Sequence, residues 1–511
     1  MRRRWQQIGL GFGAGTLCGG LLMIPLMRQI NWDVERDRLF PRAVCDHQVN
    51  DRISCGEESL MHLSELETFL GNSAVQTAET RREGIQSFKE QHWQQARQSL
   101  QTVWEQTQDP EALVYLNNLK IQTEPQAYRQ KTTIAAVVPV GGSRAAMARG
   151  LNILRGVAQA QTQAIEKGLA LRVILVDDQN DTRIARQLAG ELVGRQEIVA
   201  VVGHHVSDAT LAALEIYDGA GMVLISPTST SEELATYTLK KNNIFFRTVP
   251  SDRATATFMA SFLLNRTQAR TVAVFYNPDK SYSRSLSGAF KETFQALQGK
   301  VVSDSQGEFY LSCTGVNCPR SAFDVNQALR KAKQQGAEAF VVIPDGSESQ
   351  SNALSDAIAI TKTAGSNWVI TGDTMAGEMQ LLDSQVVDRT IIASAWDPSQ
   401  DEKSVLKQFW QSSGDSPERS LSWHTYTAYN AVQVIIAALD KGQASDRLQL
   451  RQAMASPSFS ADGAAGAIRF RDGTGELQTT SITLIKVVKC PTGKQGDRIL
   501  FQALDRPSCL R

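Results

Sequence analysis

IVAVVGHHVSDATLAALEIYDGAGMVLISPTSTSEEL, residues 198–234, decides the fold. It holds two short apolar runs, each followed by a segment with helix punctuation. IVAVVG ends at Gly203, and an unbroken apolar run of this length stopped by a turn residue reads as a strand covered on both faces. Ser207 or Asp208 caps a helix from about Ala209 to Tyr217, which Gly219 or Gly221 ends. MVLISP is the next strand, broken by Pro227, and Ser229, Thr230 and Ser231 stand where the following helix begins. In a parallel sheet both sets of hydroxyls lie beyond the carboxyl ends of their strands, the usual ligand position. Hydroxyls and free N–H groups at helix starts suit a small anion such as a carboxylate. Each residue alone reads equally well as a helix cap; the doubled arrangement favours a site.

The same alternation extends in both directions. Strands are expected at 134–140 and 171–178, each followed by a helix, at 145–167 and 182–195. IFFRTVPSD, residues 244–252, then leads into a second series: a helix at 253–265, a strand at 271–278, a helix at 283–297, and strands AFVVIPD and WVITGD. Strands alternating with helices imply a mostly parallel sheet with right-handed crossovers. TIIASAW, residues 390–396, reads as a strand returning towards the first series, followed by an amphipathic helix at 424–442.

The pattern VVG-x-x-x-S-x-x-T-x-A-x-x-x-I-Y…G-x-x-x-I-S-P-x-x-T resembles type I periplasmic binding proteins, in particular the leucine/isoleucine/valine-binding proteins of ABC importers. The Y-x-A-V helix (424–442) and the G-x-I-x-F-x-x-G hairpin (463–478) extend the likeness over most of residues 132–485. The resemblance implies an α/β fold of two Rossmann-like lobes joined by a multi-stranded hinge, with a ligand held between them. The expected lobes are 132–248 with about 390–465, and 249–389 with about 466–511.

Ahead of them, MRRRWQQ precedes an apolar run at 8–26, long enough to span a bilayer. Three arginines before it place the N-terminus in the cytoplasm and the rest outside. Residues 1–30 thus read as one transmembrane anchor, with a cleaved signal peptide as the alternative. Residues 31–124 form a small α-helical domain. From Glu79 its apolar residues recur every three to four positions, and Gly84, Phe88, Trp93, Ala96, Leu100 and Pro110 resemble one tetratricopeptide repeat plus a third helix. A plain helical spacer fits as well.

The formal net charge is zero and no basic tract occurs, which speaks against a nucleic-acid partner. Setting aside Cys18, six cysteines fall into three local pairs, Cys45 with Cys55, Cys313 with Cys318, and Cys490 with Cys509. An even set in an exported chain reads as disulfides, and short loops close at least entropic cost. The Walker, nucleophile-elbow and H-E-x-x-H signatures are absent, so no catalytic residue, cofactor or metal is assigned. His204 and His205 read as loop residues near a cleft mouth.

The resemblance assigns the ligand α-carboxylate to Ser207, Ser229 and Thr230, the α-ammonium to Asp373, and a cleft wall to Tyr282. Arg149 stands where the family carries an aromatic, and the loop after AFVVIP supplies none. Arg149 therefore favours an acidic or polar ligand over a branched aliphatic one, unless it lies on the helix surface. The implied function is extracytoplasmic capture of a small amino acid, amide or short peptide for an ABC permease. The rival is an envelope scaffold of the peptidoglycan-synthase-activator type, docking through the helical segment.

Overall fold

The computed structural model describes residues 51–61, 63–240, 243–302, 309–314, 323–346, 352–376, 389–396, 404–410, 421–440, 444–471, 473–491 and 497–504. The predicted anchor, Cys18, Cys45, Cys318 and Cys509 lie outside them. Among the described residues no helix is long and apolar enough to cross a membrane. Cys55 and Cys313 are each disulfide-bonded.

The described residues begin with a short strand, β1 (Ile53–Ser54), and five helices: α1 (Leu63–Leu70), α2 (Asn72–Gln76), α3 (Ala78–Lys89), α4 (Trp93–Thr107) and α5 (Pro110–Thr123). The first lobe follows as β2 (Gln130–Val138), α6 (Arg144–Glu166), β3 (Leu169–Asp177), α7 (Thr182–Gly194), β4 (Ile198–Val202), α8 (Ser207–Gly219), β5 (Val223–Ser226), α9 (Glu232–Lys240) and β6 (Phe245–Arg247). Its sheet has the order β1-β3-β2-β4-β5-β6, all parallel except β1. The strands β4 and β5 are buried throughout, as a sheet with helices on both faces requires.

The second lobe contains α10 (Asp252–Phe262), β7 (Thr271–Tyr276), α11 (Ser281–Ala296), β8 (Lys300–Val301), α12 (Val325–Gln334), β9 (Ala339–Ile343), α13 (Ala353–Thr363), β10 (Trp368–Thr371) and β11 (Thr390–Ser394). The chain then supplies α14 (Val405–Phe409), α15 (Trp423–Asp440), α16 (Arg447–Met454) and the hairpin β12 (Ala461–Gly463)–β13 (Gly466–Ile468) to the first lobe. It closes with β14 (Thr483–Pro491) and β15 (Asp497–Ala503) in the second. The second sheet runs β15-β14-β11-β10-β9-β7-β8.

Two boundaries differ from expectation. The strand at 390 does not return to the first lobe: β11 pairs in parallel with β10, Ile370 opposite Ile391. Ile391 and Ile392 belong to two core clusters of the second lobe, one on each sheet face, and this two-sided burial keeps the strand there. The 466–478 hairpin, in turn, stays with the first lobe. Ile468 and Phe470 join that lobe's core, and Gly475 O accepts the Arg247 N–H at 3.1 Å. A Cβ at Gly475 would collide with the Phe245 carbonyl, so the close approach depends on glycine.

The helical segment packs against the first lobe. Its apolar residues and those of the first lobe form one continuous core, including Leu100, Val114, Leu119, Leu151 and Val173. Helix α5 is buried on nearly every face, between α4 and α6. Asp109 caps it by accepting the Glu111 N–H at 2.9 Å, with Pro110 in the first turn. Arg81, buried, pairs with both Asp109 and Glu111. Further along, the Asn118 side chain donates to Val173 O at 2.8 Å and accepts Val173 N–H at 3.1 Å. It thereby satisfies the β3 edge beyond the two-residue β1.

Candidate functional site

The lobes meet around a cavity of about 500 Å³ of empty space, solvent at its mouth included, lined from both sides. From the first lobe come Arg149, His205, Val206, Ser207, Asp208 and Thr228. From the second come Tyr282, Asp345, Gly346, Asp373 and Thr374, and Trp423 with His424 close the wall at the start of α15.

Each side chain arrives by a simple local rule. Ser207 and Asp208 open α8, directly after the β4 loop, and Thr228 follows β5; these are the two carboxyl ends singled out from the sequence. Thr228 Oγ1 donates to His205 O at 2.7 Å, tying the two loops together. Asp345 follows β9 and accepts from Asn277 Nδ2 at 2.8 Å. Asp373 follows β10 and starts a short 3-10 turn. The Tyr282 hydroxyl donates to Asp373 Oδ1 at 3.1 Å. Gly372 makes room for this contact, since a Cβ there would collide with the Tyr282 hydroxyl. Desolvation pushes the Asp373 carboxyl up to about 6, against the opposing pull of the Tyr282 hydroxyl, the Thr374 N–H and Arg149. Burial and the Asp373 charge push the Tyr282 hydroxyl well above its ordinary range.

Four of the six predicted site residues therefore line one cavity: Arg149, Ser207, Tyr282 and Asp373. Arg149 is no surface arginine; it reaches from α6 across to the second lobe, donating to Gly346 O at 2.9 Å. Ser229 and Thr230 do not line the cavity. The turn after Pro227 takes Ser229 inward, where its hydroxyl lies 2.6 Å from Thr210 Oγ1. The Thr230 carbonyl accepts the Asp252 N–H at 2.9 Å, anchoring the loop to the start of α10.

Both histidines lie in the loop after β4, as expected, but only His205 reaches the cavity. His204 is fully buried, with Nδ1 2.7 Å from Asp178 Oδ2 and Nε2 3.2 Å from Tyr217 OH. His205 lines the cavity, 5.5 Å from the His424 ring, which stacks on Trp423 at 3.8 Å. Burial first, then Arg149, pushes His205 down to about 3. Burial, then His205 and Arg149, pushes His424 well below its usual range. Both rings are therefore neutral at ordinary pH. The adjacent Gly203-His204-His205 at a strand end was a legible signal for His205. His424 and Trp423 had none, because the second crossing delivers them from far along the chain.

The lobes also touch along a polar seam. Asp208 Oδ1 accepts the Ser281 N–H at 3.1 Å, and the Ser281 and Ser231 hydroxyls lie 2.9 Å apart. Ser285 Oγ accepts the Glu232 N–H at 2.9 Å, and Arg284 pairs with Glu233 at 2.6 Å.

Two α/β lobes closing on a cavity of hydrogen-bonding groups define a protein that captures small ligands. Residues 131–494, about seven-tenths of the chain, match the family model described as periplasmic binding protein, and the chain belongs to that family. It is 26% identical over 287 residues to an amino acid binding protein of Pseudomonas aeruginosa, covering 55% of this chain and 70% of that one. It is 23% identical over 330 residues to the same organism's leucine-, isoleucine-, valine-, threonine- and alanine-binding protein (62% and 79% covered). Among solved structures, the leucine-binding protein LivK of Thermotoga maritima shares the fold with a TM-score of 0.57 at 18% identity, covering 73% of this chain and 99% of that one. A solute-binding protein of Rhodopseudomonas palustris in complex with 3,4-dihydroxybenzoic acid has a TM-score of 0.57 at 16% identity, covering 73% and 96%. These relatives and neighbours are substrate-binding proteins and not enzymes.

Proposed function

We propose that this chain is an extracytoplasmic solute-binding protein that takes a small amino-acid-like ligand between its lobes for an ABC permease. One observation carries the reading: the Tyr282–Asp373 pair and the start of α8, with Ser207 and Arg149, face the same cavity from opposite lobes. A carboxylate accepting a ligand ammonium, and N–H, hydroxyl and guanidinium donors for a ligand carboxylate, are what a zwitterion needs. The amino-acid relatives support the ligand class, and the apolar run at 8–26 supports tethering to, or export across, the cytoplasmic membrane. The Cys45–Cys55, Cys313–Cys318 and Cys490–Cys509 pairings, and the tetratricopeptide-like identity of the helical segment, belong to the same proposal. None of the relatives named above supports the scaffold alternative.

The test is a thermal-shift screen against amino acids, amides and short peptides. A ligand at a hundred times its dissociation constant stabilises by ~2.7 kcal/mol. The shift should vanish in Asp373→Ala and weaken in Ser207→Ala. A shift unchanged in both variants would place binding elsewhere and sink the reading.

A further inference from the structure

We infer that the ligand is an amino acid with an aromatic side chain, of the phenylalanine, tyrosine and tryptophan class. The inference rests on the amino-acid reading above and narrows it through the rings that line the cavity. Among the described lining residues four carry planar rings: His205, Trp423 and His424 on the first-lobe side, and Tyr282 from the second lobe. Trp423 stacks on His424 with ring centroids 3.8 Å apart and planes 25° off parallel. His205 continues the row, 5.5 Å from His424 and 30° off parallel. Aromatic pairs favour offset-stacked or edge-on contacts with centroids about 4.5–7 Å apart. A ring on the ligand meets that geometry by extending the row or standing against its edge, with Tyr282 lining the cavity from the other lobe.

The rings are held in place by their own neighbours. His205 Nδ1 lies 3.1 Å from Asn180 Oδ1, and His424 Nδ1 lies 3.2 Å from Ser422 Oγ. The Tyr282 hydroxyl is tied to Asp373. Side chains fixed in advance lose little freedom when a ligand arrives. Both imidazoles are neutral, through burial and the nearby Arg149, so an apolar ring packs beside them without desolvating a charge. The polar groups around the rings are engaged by the protein itself. Asp208 accepts the Ser281 N–H, and Lys280 and Arg284 act on it. Asp345 accepts from the Asn277 amide, Thr228 donates to His205 O, and Arg149 donates to Gly346 O. Beyond the contacts to the α-ammonium and α-carboxylate, the cavity therefore offers a side chain mainly ring surface and Val206. A branched aliphatic chain gains only contact area there, whereas a ring adds the face and edge electrostatics of aromatic pairing.

Isothermal titration of the full-length protein with L-phenylalanine, L-tyrosine, L-leucine and β-cyclohexyl-L-alanine at about pH 7.5 tests this. Cyclohexylalanine has the carbon skeleton of phenylalanine without its π system, so it separates ring electrostatics from apolar bulk. Phenylalanine or tyrosine should bind at least ~10-fold more tightly than leucine and cyclohexylalanine. His424→Leu should shrink that margin by at least ~3-fold, and His424→Phe, which keeps a ring in the row, should retain it, with thermal unfolding of both variants showing that they fold. The wild-type comparison decides the matter even where a variant does not fold. Leucine or cyclohexylalanine binding as tightly as phenylalanine would overturn the aromatic assignment and leave the amino-acid reading standing. A margin untouched by His424→Leu in folded protein would also overturn it. Silence from all four ligands in folded protein would remove both readings.

Discussion

Replacing Asp373 by Asn should stabilise the unliganded protein while crippling ligand capture. In the closed cleft desolvation raises this carboxyl from an ordinary 3.8 to about 6. The folded state therefore holds the ionised group at a disadvantage. A gap of about two units is worth about 3 kcal/mol at most, and water reaching the cavity reduces it, so a gain of ~1–3 kcal/mol is expected for Asn at about pH 7.5. Asn retains a carbonyl to accept the Tyr282 hydroxyl, so the wall of the cleft keeps its bond. The sign with pH follows from the raised value. Wild-type stability linked to this group is fully present below the unfolded pKa and is lost as pH rises through the folded one. The Asn advantage should therefore shrink to about half at pH 5 and nearly vanish near pH 4. Asp252, itself pushed up to about 7 by burial, titrates in both proteins and largely drops out of the difference. Thermal unfolding of the two proteins from about pH 4 to 8 reads this directly, at roughly 2–4 °C per kcal/mol for a unit of 150–250 residues. The same variant should bind any amino acid that stabilises the wild type roughly 10- to 100-fold more weakly, the worth of a hydrogen bond to a charged group. A variant less stable than wild type at neutral pH, or an advantage that persists undiminished at pH 4, would refute the reasoning.

Four further outcomes follow from packing. Gly156→Ala should destabilise by ~1–3 kcal/mol, because its Cβ would meet the Thr425 carbonyl and the Tyr429 amide where α6 crosses α15; Gly190→Ala, exposed on α7 with nothing within 4 Å, should stabilise by up to ~1 kcal/mol. Chemical denaturation of both against wild type checks the opposite signs. Arg81→Met should cost ~3–5 kcal/mol, since it strands Asp109 and Glu111 inside the core, and the loss should appear in the denaturation midpoint. Asn118→Leu leaves Val173 without its partner on that edge and should cost at least ~2 kcal/mol, with faster amide exchange at Val173 than at Ile174.

Much of the lobe architecture was legible because it rests on local signals. The runs at 198–202 and 223–226 needed only their apolarity and the glycine and proline after them, and the strands formed there. Ser207 and Asp373 were legible for the same reason, each being a polar residue in the turn beyond a buried strand, whereas Asp208 read only as a helix cap. What failed depended on tertiary routing. Whether residues 390–394 join the first or second sheet is decided by which helices cover their two faces, and an apolar run does not encode that. Ser229 and Ser207 look alike as hydroxyls after strands. Only the turn after Pro227, which leads Ser229 to Thr210, separates a brace from a cavity-lining hydroxyl. His424 and Trp423 reach the cavity through a long-range crossing. The reading of the helical segment as a spacer packed on its neighbour fits α5, which carries apolar or core-bonded polar residues all round and must be covered on every side.

The chemistry of the seam accounts for why such a cleft can release what it captures. Among the described residues, apolar contact across the lobes is concentrated in a small patch at the crossings, Val249, Ala395 and Trp423 flanked by Ala376 and Trp396. Elsewhere the lobes meet through hydroxyls, main-chain N–H groups and the half-exposed Arg284–Glu233 pair. Water replaces such partners on opening, and an exposed ion pair is worth at most ~1 kcal/mol. An apolar seam of the same extent would be driven shut by its own burial, with ~25 cal/mol lost for each Å² re-exposed. The apolar patch instead sits where the strands pass between lobes, so it can persist as a pivot while the polar seam parts. Closure on a ligand would then be set by the cavity, where Arg149, bonded to Gly346 O, brings a cation that acts on Asp373.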